Sequence, residues 1–172
     1  SALALALSAW MLGSIWLHKP TNLRTTIGHM DVPTAYHELG RNNWPFLPEF
    51  LYLGDSLKIA STELGILGVM AAHNTIYDLS GLHDNETARN GLNTDRLLRD
   101  QRPDLIYMPH PDYQEMIAQI RSNPAFQTDY AEYPAAQLHT WLGIALRKDS
   151  PFFVQMEYII QQAKNVDDQN AH

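Results

Sequence analysis

From Ser56 onward, short apolar runs alternate with helical stretches, and this rhythm restricts the fold more than any other feature of the chain. Leu57–Thr62, Thr75–Leu79 and Asp104–Met108 read as strands. A near-continuous apolar run is what a strand covered on both faces requires. Between them, Asn93–Gln101 predicts a helix that Pro103 stops, because proline lacks the N–H and clashes with the preceding turn. Tyr113–Arg121 predicts another, with Tyr113, Met116, Ile117 and Ile120 on one stripe. Ile66–Ala72 is apolar but too short for periodicity to separate helix from strand. Phe126–Tyr133 alternates imperfectly, as an edge strand does; Trp141–Arg147 predicts a last strand and Pro151–Ala163 a terminal helix with Pro in its first turn. The expected fold is α/β: a mostly parallel sheet of about four to five strands with helices on both faces.

The N-terminus is of a different character. Ala2–Leu17 carries no charge. As a helix it would rise roughly 24 Å, against a hydrocarbon core of about 30 Å. It lacks a basic leading region, so it makes a poor signal peptide. Trp10 and Trp16, followed by His18 and Lys19, suit a helix leaving a bilayer through the headgroup zone. The expectation is an N-terminal apolar helix, the end of a transmembrane span, over residues 1–19; a core helix is the alternative. Residues 20–56 are expected to hold a linker and covering helices, including a short one over Pro33–Arg41. The α/β domain would then occupy residues 57–165, with a disordered tail over 166–172.

Composition excludes several classes. The net charge of −7 disfavours a nucleic-acid surface, and Arg96, Arg99, Arg102 and Arg121 are interspersed with acids, as on a solvated helix face. The chain has no cysteine, which removes disulfides, thiolate metal ligands and thiol nucleophiles.

The residues with chemistry cluster after the expected strands. Ile76–Arg89 reads as a strand ending in Asp78, a turn at Gly81 and a helix starting near Asp84. Ends of such strands are where open α/β sheets build sites. Glu63 and Asp78 follow neighbouring strands, so their carboxylates can converge for acid–base work or cation binding. Against that, Asp78 can hold the turn by accepting N–H bonds near Ser80 and Gly81, and Asp84 with Thr87 suits an N-cap. Gly81 suits a tight turn better than a phosphate cradle. His73, His83 and His110 fall at strand ends but lack compact ligand spacing, so no metal or other cofactor is expected. Ser61 and Ser80 lack a nucleophile-elbow setting. Tyr107, Tyr113, Tyr130, Tyr133 and Trp141 present faces that can stack on sugars, or simply cover the sheet.

Three pieces occur in order: Ala60-Ser61-Thr62-Glu63-Leu64-Gly65-Ile66-Leu67-Gly68, then Ile76-Tyr77-Asp78-Leu79-Ser80-Gly81-Leu82-His83-Asp84 with Ala88-Arg89, then Arg102-Pro103-Asp104-Leu105-Ile106. Together they resemble the C-terminal extracytoplasmic domain of bacterial multi-spanning glycosyltransferases that use polyprenyl-phosphate sugars, the GT-C class. The arabinofuranosyltransferase-like and mannosyltransferase-like members are nearest. The likeness runs from about Lys58 to Lys148 and departs from the family pattern at His83.

The resemblance implies an accessory domain, not catalytic alone, because the family's catalytic acid lies in an early loop between transmembrane helices. It implies a parent transmembrane domain as partner, contact with a polyprenyl-phosphate sugar or a cell-envelope glycan, and placement on the outer face of a bacterial inner membrane. Glu63, Asp78, Gly81, His83, Asp84 and His110 would line the substrate-binding edge. Two other classes stay open: a free-standing hydrolase or metal enzyme using Asp78, His83 and His110, and a structural or protein-interaction module.

Overall fold

The computed structural model of the chain describes residues 44–170. The apolar stretch Ala2–Leu17, expected as an N-terminal helix, and the expected Pro33–Arg41 helix lie outside these residues. No helix among the described residues is long and apolar enough to cross a membrane.

Five strands form one sheet: β1 (Lys58–Ser61), β2 (Thr75–Asp78), β3 (Leu105–Tyr107), β4 (Tyr130–Tyr133) and β5 (Ile144–Arg147), in the order β2-β1-β3-β5-β4. The helices are α1 (Leu47–Leu51), α2 (Gly65–Met70), α3 (Asn85–Asn90), α4 (Gln114–Ser122), α5 (Pro124–Asp129), α6 (Ala135–Leu138) and α7 (Phe153–Asn170). α7 continues past Ala163, where the sequence pattern had ended it.

The sheet is mixed, not mostly parallel. β1 runs parallel to β2 and β3, whereas β5 runs antiparallel to both β3 and β4. The reason lies in the connections. A parallel crossover needs a dozen or more residues and usually a helix that spans the sheet. The segment between Tyr133 and Ile144 holds only the four-residue α6, so the chain turns straight back. β5 thereby inserts between β3 and β4 and makes both of its pairings antiparallel.

Two other segments differ from the sequence expectation. Phe126–Asp129 is helical, because Asn123 caps α5 through its side-chain oxygen, accepting from the Ala125 N–H at 2.9 Å, and Pro124 starts the first turn. Strand begins only at Tyr130. Arg96–Gln101 is π-helical and closes with an Arg102 N–H···O=C Leu97 bond of 2.9 Å, after which Arg102 turns left-handed (φ 48°) before Pro103.

Side chains of alternate parity face opposite sides of the sheet. Ala60, Ile106 and Ala145 join a core with Leu79, Leu97, Leu98, Ile120, Phe126 and Tyr130. Ile59, Leu105, Tyr107, Ile144 and Leu146 point the other way and are fully buried there. On that face the Tyr107 hydroxyl donates to the Pro45 carbonyl at 3.1 Å, fixing the chain as it enters α1.

At the end where β1 and β3 begin, Asp104 ties three strands together. Its Oδ2 accepts the Lys58 N–H at 2.9 Å, and its Oδ1 accepts the Ser150 hydroxyl at 2.8 Å and a guanidinium N–H of Arg147. Asp104 is 3% exposed, so this pair lies out of water. Arg147 also grips Asp149, which in turn pairs with Arg102. Burial works against charge on Asp149, but hydrogen bonds from Arg147 and Arg102 outweigh it and hold its pKa below the usual carboxylate value.

Replacing one member of a buried ion pair leaves the other charged and unpaired. Asp104→Ala is therefore expected to cost about 3–5 kcal/mol in urea denaturation. A loss under about 1 kcal/mol would mean the pair behaves as a solvent-exposed one. Gly68 inside α2 has no atom within 4 Å of where a Cβ would sit. Gly68→Ala should thus stabilise the fold by about 0.5–1 kcal/mol, through the unfolded chain's lost freedom alone.

Candidate functional site

The parallel strands β1, β2 and β3 deliver their C-terminal ends to one edge of the sheet, where Glu63, the Asp78–Asp84 turn and His110 emerge. This is the edge at which open α/β sheets form crevices. The turn after β2 is built around one carboxylate. Asp78 Oδ1 accepts the Ser80 N–H at 2.8 Å, the Ser80 hydroxyl at 2.7 Å and the Gly81 N–H at 3.0 Å, while Oδ2 accepts the His83 N–H. Partial burial opposes ionisation, but the Ser80 hydroxyl and the three backbone donors outweigh it and hold the Asp78 pKa below its ordinary value. Gly81 is obligatory on two counts: its φ is +79°, and a Cβ would sit 2.6 Å from the Ala88 nitrogen. The turn packs directly onto α3.

Asp84 caps α3. Its Oδ1 accepts the Glu86 N–H at 3.0 Å and its Oδ2 the Thr87 hydroxyl at 3.0 Å. The Glu86 amide bond is the main cause that lowers the Asp84 pKa, and the charge of Arg96 adds to it. The Arg96 guanidinium lies 2.7 Å from Glu86 and 3.4 Å from Asp84, returning across the loop from the start of the π-helical segment. Tyr77 also lines this region and donates its hydroxyl weakly to the Gln101 carbonyl at 3.4 Å. Burial, with the nearby charge of Asp104 second, raises the Tyr77 pKa, so the phenol stays neutral.

These groups border two hollows. A small recess of about 150 Å³ is lined by Tyr77, Asp84, Asn90, Asn93, Arg96 and Gln101, among others. A wider groove of about 770 Å³ is lined by Ile76, Tyr77 and Asp78 of β2 together with Leu64, Gly68, His83, Asp84 and Glu86, among others. Asp78, His83 and Asp84 therefore do share one place. Glu63 does not join them by side chain: its N–H bonds to the Ser61 hydroxyl at 3.0 Å, and its carbonyl accepts the Trp44 indole N–H at 3.1 Å. Among the described residues no hydrogen bond or ion pair links the Glu63 carboxylate to Asp78. His110 belongs to a different loop, where its Nδ1 accepts the Asp112 N–H at 3.3 Å.

Among the described residues, no group of three or more histidines and carboxylates is placed to hold a metal ion. Arg96, Asn90, Asn93 and Gln101 line the recess although the sequence pattern did not single them out as site residues. Arg96 reads in sequence as one cation of a solvated face, and only the backbone's return after Gly91 brings it to Glu86. In sequence, Arg89 is the nearer cation to the acids at 84 and 86, so charge spacing alone does not single out Arg96. No protein-family model matches the chain, no curated protein matches it, and no solved structure matches it.

The depressed Asp78 pKa fixes a sign. A carboxyl that ionises more easily in the folded than in the unfolded chain stabilises the fold above its unfolded pKa of about 3.9. That contribution disappears as pH falls through the lower folded value. The stability difference between wild type and Asp78→Asn should be largest near neutrality and shrink below about pH 4, read from urea midpoints across pH. A difference independent of pH would show that the turn does not use the charge.

Proposed function

We propose that this domain is a sugar-contacting accessory lobe of a membrane-bound glycosyltransferase of the polyprenyl-phosphate-sugar class, set on the outer face of a bacterial inner membrane. One observation carries the reading. The recess beside Tyr77 has room for a single sugar ring and combines amides at Asn90, Asn93 and Gln101 with a guanidinium at Arg96 and carboxylates at Asp84 and Glu86. Such a set offers donors and acceptors in pairs, which suits vicinal hydroxyls. Tyr77 and Leu92 supply the apolar area on which a ring's C–H face can rest.

The commitments of the acids favour recognition over proton transfer. A general acid or base needs a carboxyl free to take or give a proton at the reacting atom. Asp78 is held by four donors, and Asp84 caps a helix while facing Arg96. Their remaining capacity is to accept hydrogen bonds from a ligand. The reaction itself belongs to the transmembrane partner in this reading, and the lobe holds an acceptor glycan or the sugar of a lipid-linked donor near it. A hydrolase using Asp78, His83 and His110 has less support, since His110 stands in a separate loop bonded to Asp112.

The test is titration of the 172-residue chain with arabinofuranosyl and mannosyl oligosaccharides, followed by amide shifts. Perturbation should concentrate at Asn90, Asn93 and Gln101. Arg96→Met should weaken binding by about tenfold, because it removes charge-assisted hydrogen bonds, while leaving the fold intact, since its ion pairs are partly solvated. Absence of any shift at these amides with either sugar class sinks the reading.

A further inference from the structure

We infer that the outer edge of β2 is a strand-addition site for an extended, basic polypeptide segment. This goes beyond the sugar-contact reading and uses the groove along β2 in place of the recess behind Tyr77.

β2 ends the sheet on one side. The Thr75 and Leu79 N–H groups donate inward to the Leu57 and Ser61 carbonyls at 2.9 and 3.0 Å. Alternation along a parallel ladder then turns the N–H and C=O of Ile76 and Asp78 outward. Among the described residues no hydrogen bond engages those four groups. They open onto the groove of about 770 Å³. Unpaired edges template the addition of another chain, and proteins blunt them with very short strands, charged side chains, Pro or a bulge. β2 reads Thr-Ile-Tyr-Asp and pairs with β1 in unbroken register; it is short and ends in Asp78 but carries no Lys, Pro or bulge. Asp78 is turned into the following loop by Ser80, Gly81 and His83.

The lining contributed by α2 adds an independent observation. Gly68 sits inside α2, faces the groove and meets no atom within 4 Å of a Cβ position. A helix-interior glycine weakens its helix, and here the domain's own packing does not demand it. A bare backbone there leaves room for another main chain to come close. Leu64 and the half-buried Ile76 supply apolar contact for alternate side chains of an added strand.

Charge selects the occupant. The groove carries Asp78, Asp84 and Glu86 against the single Arg96. A second copy related by a two-fold axis would set these acids against themselves, and the chain as a whole is acidic at −7. A segment with Lys or Arg flanking β-branched residues complements both the edge and its sign.

The experiment uses the 172-residue chain and the synthetic peptide acetyl-Lys-Val-Thr-Val-Arg-amide, with acetyl-Glu-Val-Thr-Val-Glu-amide as control. Addition of the basic peptide should slow amide exchange at Ile76 and Asp78 by about tenfold, and the acidic peptide should leave them unchanged. Gly68→Leu, which fills the groove from α2, should abolish the effect while Ala60 and Ile106 keep their native protection. Three results overturn the proposal: no slowing with the basic peptide, equal slowing with the acidic one, or protection that appears on concentrating the chain alone. Sugar contact is read at Asn90 and Asn93 and strand addition at Ile76, so either can fail without the other.

Discussion

Asp104 is the fulcrum of the described fold. Its carboxylate is buried yet fully engaged, by the Lys58 amide, the Ser150 hydroxyl and the Arg147 guanidinium. Its backbone joins the same neighbours, donating to the Lys58 carbonyl at 2.8 Å and accepting from the Arg147 N–H at 3.0 Å. One residue therefore sets the relative positions of β1, β3 and β5. Each of these strands is short, so the ladder bonds between any two are few. A charge-assisted tie at one end compensates for length the strands do not have. Tyr130 reinforces the same corner through its hydroxyl on the Pro103 carbonyl, and burial, the largest influence on it, raises its pKa well above the ordinary phenol value.

That tie divides the sheet into two ends with different duties. At the end where β1 and β3 start, charges are paired with one another and the backbone is pinned. At the opposite end, the loops after β1, β2 and β3 hold polar groups around open space. β5 matters to this division because its reversed direction brings Arg147, at its C-terminal end, to Asp104. A parallel β5 would have placed Arg147 at the far edge and left Asp104 buried without its cation. The antiparallel insertion is thus tied to the ion pair, not an accident of connection length alone.

The elements most legible in the sequence are those whose cause is local. β1, β2 and β3 follow from apolar runs, α3 from Asp84 and Thr87, and the π-helical segment's end from Pro103. The turn role of Asp78 and Gly81 was equally visible, since both use partners within five residues. What escaped depends on distant partners. The direction of β5 is decided by a pairing with residues about forty positions upstream, and no periodicity records that. α5 was obscured because Phe126 and Tyr130 look like strand residues; they stack with centroids 5.6 Å apart across the helix end. The Asn123–Pro124 start signal outweighs that composition. In the site, Asp78 and Asp84 are named by the sequence pattern and Glu86 and Arg96 are not, because Arg96 reaches Glu86 only after the chain doubles back at Gly91.

The placement of acids around β2 bears on what kind of surface this is. A carboxylate kept for chemistry is normally poised, with a pKa moved toward the working pH. Asp78 and Asp84 are displaced the other way, held ionised by amide and hydroxyl donors. Such groups are fixed in direction and permanently negative, which makes them dependable acceptors and poor proton carriers. Fixed acceptors cost a ligand little ordering entropy on the protein's side, so even a small recess can discriminate hydroxyl geometry. The same permanence keeps the Asp78 and Asp84 share of the groove's charge negative through the neutral range. A partner strand would meet these two fixed charges, and its selection would fall to the partner's own basic residues and to the ionic strength around them.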